Sequence, residues 1–144
     1  MTNFINKNLI NIFNDKYDWK TSGYKAAEML LDNDYITKEF IKAMIGYVEE
    51  FGPYIVLAPG IALFHGRPED GVNKEGVSFN LFKKGVEFGV PEKDPVYLIF
   101  VLAPIDNESH IDLLTKISEI LSDNILVNKL KECETIDEIY ELLN

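Results

Sequence analysis

Residues 8–13, Asn-Leu-Ile-Asn-Ile-Phe, mix apolar and polar positions at the short period of a strand. The period then lengthens. Between Trp19 and Leu31 the apolar residues Tyr24, Ala27, Met29, Leu30 and Leu31 fall mainly on one helical face, and Asn33-Asp34 supplies a stop. A second helix is expected over about 37–51, where Phe40, Ile41, Met44, Ile45, Val48 and Phe51 recur at three- and four-residue steps. Gly52-Pro53 ends it, since glycine lacks helix propensity and proline lacks an N–H. Residues 54–64 are rich in β-formers but broken by Pro59-Gly60, which predicts two short strands or one sharply bent strand. Residues 76–82 alternate as a half-buried strand.

Residues 95–104 differ from these, because eight consecutive apolar residues between two prolines imply a strand covered on both faces. Helices must then lie above and below a sheet. The C-terminal third supplies them: Ile111, Leu113, Leu114, Ile117, Ile120 and Leu121 form one apolar stripe, introduced by Ser109 with Asp112 three residues later, as in a capping box. Thr135 and Glu138 mark a second such start, before Ile139, Tyr140 and Leu143. The pattern predicts an α/β sandwich and leaves strand order and sense open.

A chain of 144 residues has the size of one domain and needs no covalent staples. Its single cysteine, Cys133, excludes an internal disulfide and a multi-cysteine metal site, and is read as a solvent-facing or half-buried thiol. The N-terminal residues show no basic leader or apolar h-region, and no apolar run approaches the ~20 residues needed to span a bilayer. The expected location is cytoplasmic, without membrane insertion. A net charge of −10, with no basic cluster beyond Lys83-Lys84, argues against nucleic acid. Those two lysines read as ordinary hairpin charges.

The candidate chemistry rests on two histidines. His65 ends an apolar strand, and His110 lies just past the most buried strand, in the first turn of a helix. In open α/β sheets functional crevices sit at strand ends, so the two could meet there. A helix N-terminus favours neutral imidazole and offers free amides that bind anions, phosphate in particular. Neutral imidazole is nucleophilic near pH 7, so His65 beside such a site suits phosphoryl acceptance, and Arg67 could balance the dianionic charge. Each residue also has a plainer reading: a capped, hydrogen-bonded His65, a simple helix start at Ser109-His110, and a solvated turn at Arg67-Pro68-Glu69-Asp70 closed by a surface ion pair. A metal site built with Asp70 or Asp106 lacks ligand spacing, adjacent Ser109 and His110 do not make a triad, and Cys133 lacks an activating partner. There is no glycine-rich phosphate loop, and no cofactor is expected.

Residues 51–72, "FGPYIVLAPGIALFHGRPEDGV", and 96–121, "VYLIFVLAPIDNESHIDLLTKISEIL", with the helical segment "AAEMLLDNDYITKEFIKAMIGYVEE" before them, resemble the enzyme IIA component of the bacterial phosphoenolpyruvate-dependent sugar phosphotransferase system. The class is the fructose–mannitol one, and the ascorbate-type branch is the nearest within it. The resemblance implies one IIA domain over 1–144, a mixed β-sheet flanked by helices on both faces. It further implies a phosphotransferase with a phosphohistidine intermediate, fed by the carrier HPr and emptied by a cysteine of the IIB component. The membrane IIC partner is involved only indirectly. His65 would be the phosphoryl acceptor, His110 would stabilise the phosphoryl group and Arg67 would add positive charge; no metal or cofactor is implied, and homo-oligomerisation is left open. The chain departs from the family pattern in having Phe64 where proline usually precedes the acceptor, and Glu49-Glu50 where mannitol-type members carry arginine. Gly66 is expected to leave room beside the imidazole for a partner. The rival reading is a regulatory module of the same fold that controls a partner through its phosphorylation state; a metal-dependent hydrolase using both histidines is more distant.

Overall fold

The computed structural model of the chain describes residues 4–144. A single 3-10 turn, Lys7–Leu9, leads into β1 (Ile10–Phe13), so the first strand starts two residues later than the alternation suggests. Helices α1 (Trp19–Asp32) and α2 (Lys38–Phe51) follow, each opened by a side-chain cap: the Asp18 carboxylate accepts from the Thr21 amide, and the Thr37 hydroxyl from that of Phe40. Pro59-Gly60 separates β2 (Val56–Ala58) from β3 (Ile61–His65), which are antiparallel, so the two-strand alternative is the correct one. The remaining strands are β4 (Gly76–Val86) and β5 (Val96–Ala103). Three helices complete the chain: α3 (Asn107–Leu121), α4 (Asn124–Glu132) and α5 (Ile136–Leu143).

The five strands form one mixed sheet in the order β1-β4-β5-β3-β2. β1 with β4 and β3 with β5 are parallel; β4 with β5 is antiparallel. Every β5 residue except Tyr97 is buried, as a strand covered on both faces requires. Helix α1 packs over β4 and β5, where the buried Ser78 hydroxyl donates to the Ala26 carbonyl at 2.8 Å. Phe64, Phe79, Phe82 and Phe100 are fully buried among the strands, and the Phe79 and Phe100 rings meet edge to face at 5.1 Å.

Three expectations are corrected. Helix α3 is capped by Asp106, whose carboxylate accepts from the Ser109 amide at 2.8 Å, while the Ser109 hydroxyl accepts from the Asp106 amide at 3.2 Å. Ser109 is therefore the third residue of the helix rather than its cap, and Asp112 has no part in the box. Cys133 is buried, because α4, which the pattern did not separate, ends there and turns its thiol inward to donate to the Lys129 carbonyl at 3.3 Å. Lys83-Lys84 lie within the long β4; the Lys83 ammonium caps the end of α4 by donating to the Cys133 carbonyl at 2.9 Å, and pairs with Glu134.

Phe64 stands where a proline would have held the strand end by its ring, and packing replaces that restraint. Its ring lies so close to Gly23 of α1 that a Cβ there would come within 2.9 Å of it. Phe64→Ala should lower folding stability by about 3–5 kcal/mol through lost burial and a residual cavity. Denaturant unfolding would show this as a fall in midpoint without a change of slope.

Candidate functional site

His65 is the last residue of β3 and pairs in register with Leu102 of β5. Two residues after Leu102 the chain leaves the sheet through Pro104, turns, and begins α3, which carries His110. Because β3 and β5 are parallel neighbours, both exits open at the same end of the strands. The two imidazoles meet there, with ring centroids 6.1 Å apart and planes nearly perpendicular. Neither imidazole forms a hydrogen bond with the protein among the described residues, which removes the reading of His65 as a satisfied structural histidine.

The histidines open into a cavity of about 540 Å³. Tyr47, Phe51 and Tyr54, Arg67 and Glu69 of the turn after β3, and Asn107 of α3 line it. Tyr54 meets His65 edge to face at 5.9 Å. His65 itself is half-buried, and that burial, with the neighbouring His110 as a second cause, pushes its pKa below the ordinary histidine value. The imidazole is thus held neutral at physiological pH, with a lone pair available. The N-terminus of α3 contributes two amides, those of Asn107 and Glu108, that make no hydrogen bond among the described residues, because the Asp106 cap engages Ser109 and the Asp106 carbonyl engages His110.

Arg67 also reaches this cavity. The turn after it does not close the way the sequence suggests, because the guanidinium pairs with neither Glu69 nor Asp70. It lies instead over the face of the Tyr47 ring, 5.7 Å from its centroid. Asp70 turns the other way: its Oδ2 accepts from the Arg67 main-chain N–H and from the Tyr47 hydroxyl, each at 2.7 Å. That bond, with some desolvation, raises the Tyr47 pKa above the usual phenol value. The space beside Gly66 is filled by the protein itself, since a Cβ there would come within 2.9 Å of the Phe40 ring. Gly71, at φ +127°, lies against Thr37, whose amide donates to the Gly71 carbonyl at 3.0 Å. Helix α2 therefore supports the whole segment from His65 to Gly71.

The structure thus brings together all three residues singled out from sequence, His65, His110 and Arg67. It adds Tyr47, Tyr54 and Asn107, which sequence reasoning missed. Tyr47 carried no separate signal because it sits among the apolar positions of α2, next to Val48 and one turn from Met44. Among the described residues no group of three His, Cys, Asp or Glu side chains is arranged to hold a metal ion. Nor is any helix among them long and apolar enough to cross a membrane.

The family described as "Phosphoenolpyruvate-dependent sugar phosphotransferase system, EIIA 2" matches residues 3–144. The chain belongs to this family, and it is a phosphotransferase that acts as a phosphoryl-relay component of a sugar phosphotransferase system. It is 32% identical over 138 residues to the ascorbate-specific EIIA component of Salmonella choleraesuis, covering 95% of this chain and 90% of that one. To the ascorbate-specific EIIA component of Escherichia coli it is 33% identical, with 88% and 82% covered. Among solved structures, the mannitol-specific cryptic enzyme IIA CmtB of Escherichia coli superimposes with a TM-score of 0.88 at 29% identity, over 97% of this chain and 95% of that one. The IIA domain in the Escherichia coli complex of mannitol IIA with phosphorylated IIB gives 0.79 at 33% identity, over 92% and 93%.

The depressed His65 pKa has a pH signature. As pH falls from about 6.5, the unfolded chain takes up a proton at this site before the native one does. The site therefore costs the native state stability progressively, down through the folded pKa. An NMR titration should place the His65 midpoint below 6.5, and His65→Gln should remove that part of the decline in unfolding free energy. A midpoint at or above 6.5 would contradict the neutral-nucleophile geometry.

Proposed function

We propose that His65 is the phosphoryl acceptor of this relay, with residues 1–144 acting as one IIA domain in the cytoplasm. The observation that carries the reading is a neutral imidazole at a strand end, without a hydrogen-bonding partner among the described residues, opposite a second imidazole and open to a cavity. In the first transfer a lone pair of the His65 imidazole forms an N–P bond as the N–P bond to the histidine of phosphorylated HPr breaks. In the second, a thiolate of IIB takes the phosphoryl group, an S–P bond forms, and His65 returns to the neutral imidazole. The complex of a mannitol IIA with phosphorylated IIB, 33% identical to this chain, supports IIB as the recipient.

Such transfers demand little covalent chemistry from the protein beyond alignment and charge stabilisation. His110 sits close enough to donate to a phosphoryl oxygen, and its place in the first turn of α3 brings the two free amides to the same side. Arg67 supplies the positive charge from the turn after β3. Glu49-Glu50, at the end of α2, lie outside the cavity lining. The set is modest, as a relay requires, because a deep anion trap would hold the phosphoryl group and stop onward transfer. The ascorbate-specific EIIA components among the relatives favour this reading over a purely regulatory module.

With phosphoenolpyruvate, enzyme I and HPr, intact mass should show one phosphoryl group on the wild-type chain and none on His65→Ala. His110→Ala should still accept but pass the group to IIB more slowly, by about 10²-fold if it acts as a preorganised donor. Phosphorylation of His65→Ala by HPr would overturn the assignment.

A further inference from the structure

The turn that follows His65 contains a cation and two carboxylates within four residues, Arg67 to Asp70, yet among the described residues the cation forms no ion pair. In water such neighbours readily form a local ion pair. Here Asp70 is otherwise engaged: the Tyr47 hydroxyl from α2 and the Arg67 main-chain N–H both donate to its Oδ2. The Arg67 guanidinium is left over the Tyr47 ring, on the wall of the cavity that His65 and His110 share. One tyrosine therefore does two things. Its ring holds the guanidinium, and its hydroxyl occupies the carboxylate that would otherwise take it.

Resting on the reading of His65 as phosphoryl acceptor, we propose that Tyr47 is a positioning residue for phosphoryl transfer, keeping Asp70 off the Arg67 guanidinium so that the arginine stays free for phosphoryl oxygens on His65. Hydrogen bonds to a charged carboxylate are among the stronger ones in proteins, and losing a donor leaves the half-buried acceptor seeking another. The Arg67 fork, three residues away, is the nearby donor that fits a carboxylate best. Without the Tyr47 hydroxyl, Asp70 draws the guanidinium to itself. The phosphoryl group then loses its cation although every catalytic side chain is still present. Glu69, also on the cavity wall, is exposed and does not take over this pairing in the native protein.

The test uses Tyr47→Phe, Asp70→Asn, the double variant and Tyr47→Phe combined with Arg67→Gln, each assayed for phosphoryl uptake from phosphorylated HPr. Phenylalanine keeps the ring and its volume and removes only the hydroxyl. We expect Y47F to lower kcat roughly tenfold, with little change in KM for phosphorylated HPr. Adding D70N should restore the rate to that of D70N alone, because a neutral amide no longer attracts the guanidinium. Adding Y47F to R67Q should cost nothing further. A merely structural role predicts the opposite, since the double variant loses more bonds than Y47F and should be no faster. Y47F at the wild-type rate, or Y47F not rescued by D70N, overturns the inference. His65→Ala run alongside separates the two claims: uptake by H65A defeats the acceptor assignment itself, whereas an inert H65A with an unrescued Y47F defeats only the role of Tyr47.

Discussion

Parallel pairing of β3 with β5 is the constraint on which the site depends. In an antiparallel pair the end of one strand lies beside the start of the other, and the residue after β5 would emerge at the opposite end of the strands from His65. With the two strands parallel and His65 level with Leu102, the end of β3 and the start of α3 are neighbours by geometry. The register rests on buried side chains along both strands, from Ile61 to Phe64 and from Leu98 to Leu102. A slip of one residue would exchange His65 with Phe64 between the faces of the sheet and bury the imidazole where the Phe64 ring now packs.

Helix α2 is the second support. Along its length it meets the segment after β3 at successive points, Thr37 against Gly71, Phe40 against Gly66 and Tyr47 against Asp70. A turn that would otherwise be a mobile surface connection is tied down at both ends. The chemistry follows from that rigidity. His65 is desolvated enough to remain neutral and open enough to be reached by a partner, and Arg67 presents its charge from a turn that cannot easily fold back on it. Phosphoryl transfer between proteins benefits from such preorganisation, because charge stabilisation is already in place when the partner docks.

Most of this architecture is legible in the chain, for identifiable reasons. The run between Pro95 and Pro104 has too many consecutive apolar residues for a half-exposed strand, and β5 is indeed buried along its length, with α1, α3 and α4 packed against it. The break at Pro59-Gly60 shows in composition and becomes the β2–β3 turn. Local ambiguity explains the misplaced start of α3: Asp106 and Ser109 both suit an N-cap, and only the fold decides that Asp106 takes the position while Ser109 reciprocates. Helix α4 is short, so its pattern did not stand apart, and with it went the burial of Cys133 and the capping role of Lys83. The histidines and Arg67 could be found because polar residues at strand ends stand out against apolar runs. Tyr47 could not, since an aromatic in an apolar stripe looks like core until its hydroxyl is seen to reach Asp70.

The account stands or falls on the atom that carries the phosphoryl group. The direct measurement is NMR of the chain phosphorylated through enzyme I and HPr, with phosphorus couplings used to assign the modified side chain. The account predicts a single phosphoramidate on the His65 imidazole, labile in acid and stable in alkali, with the His110 resonances perturbed and that ring unmodified. A phosphoryl group found on His110, on Cys133 or on any hydroxyl, with His65 unmodified, would contradict it.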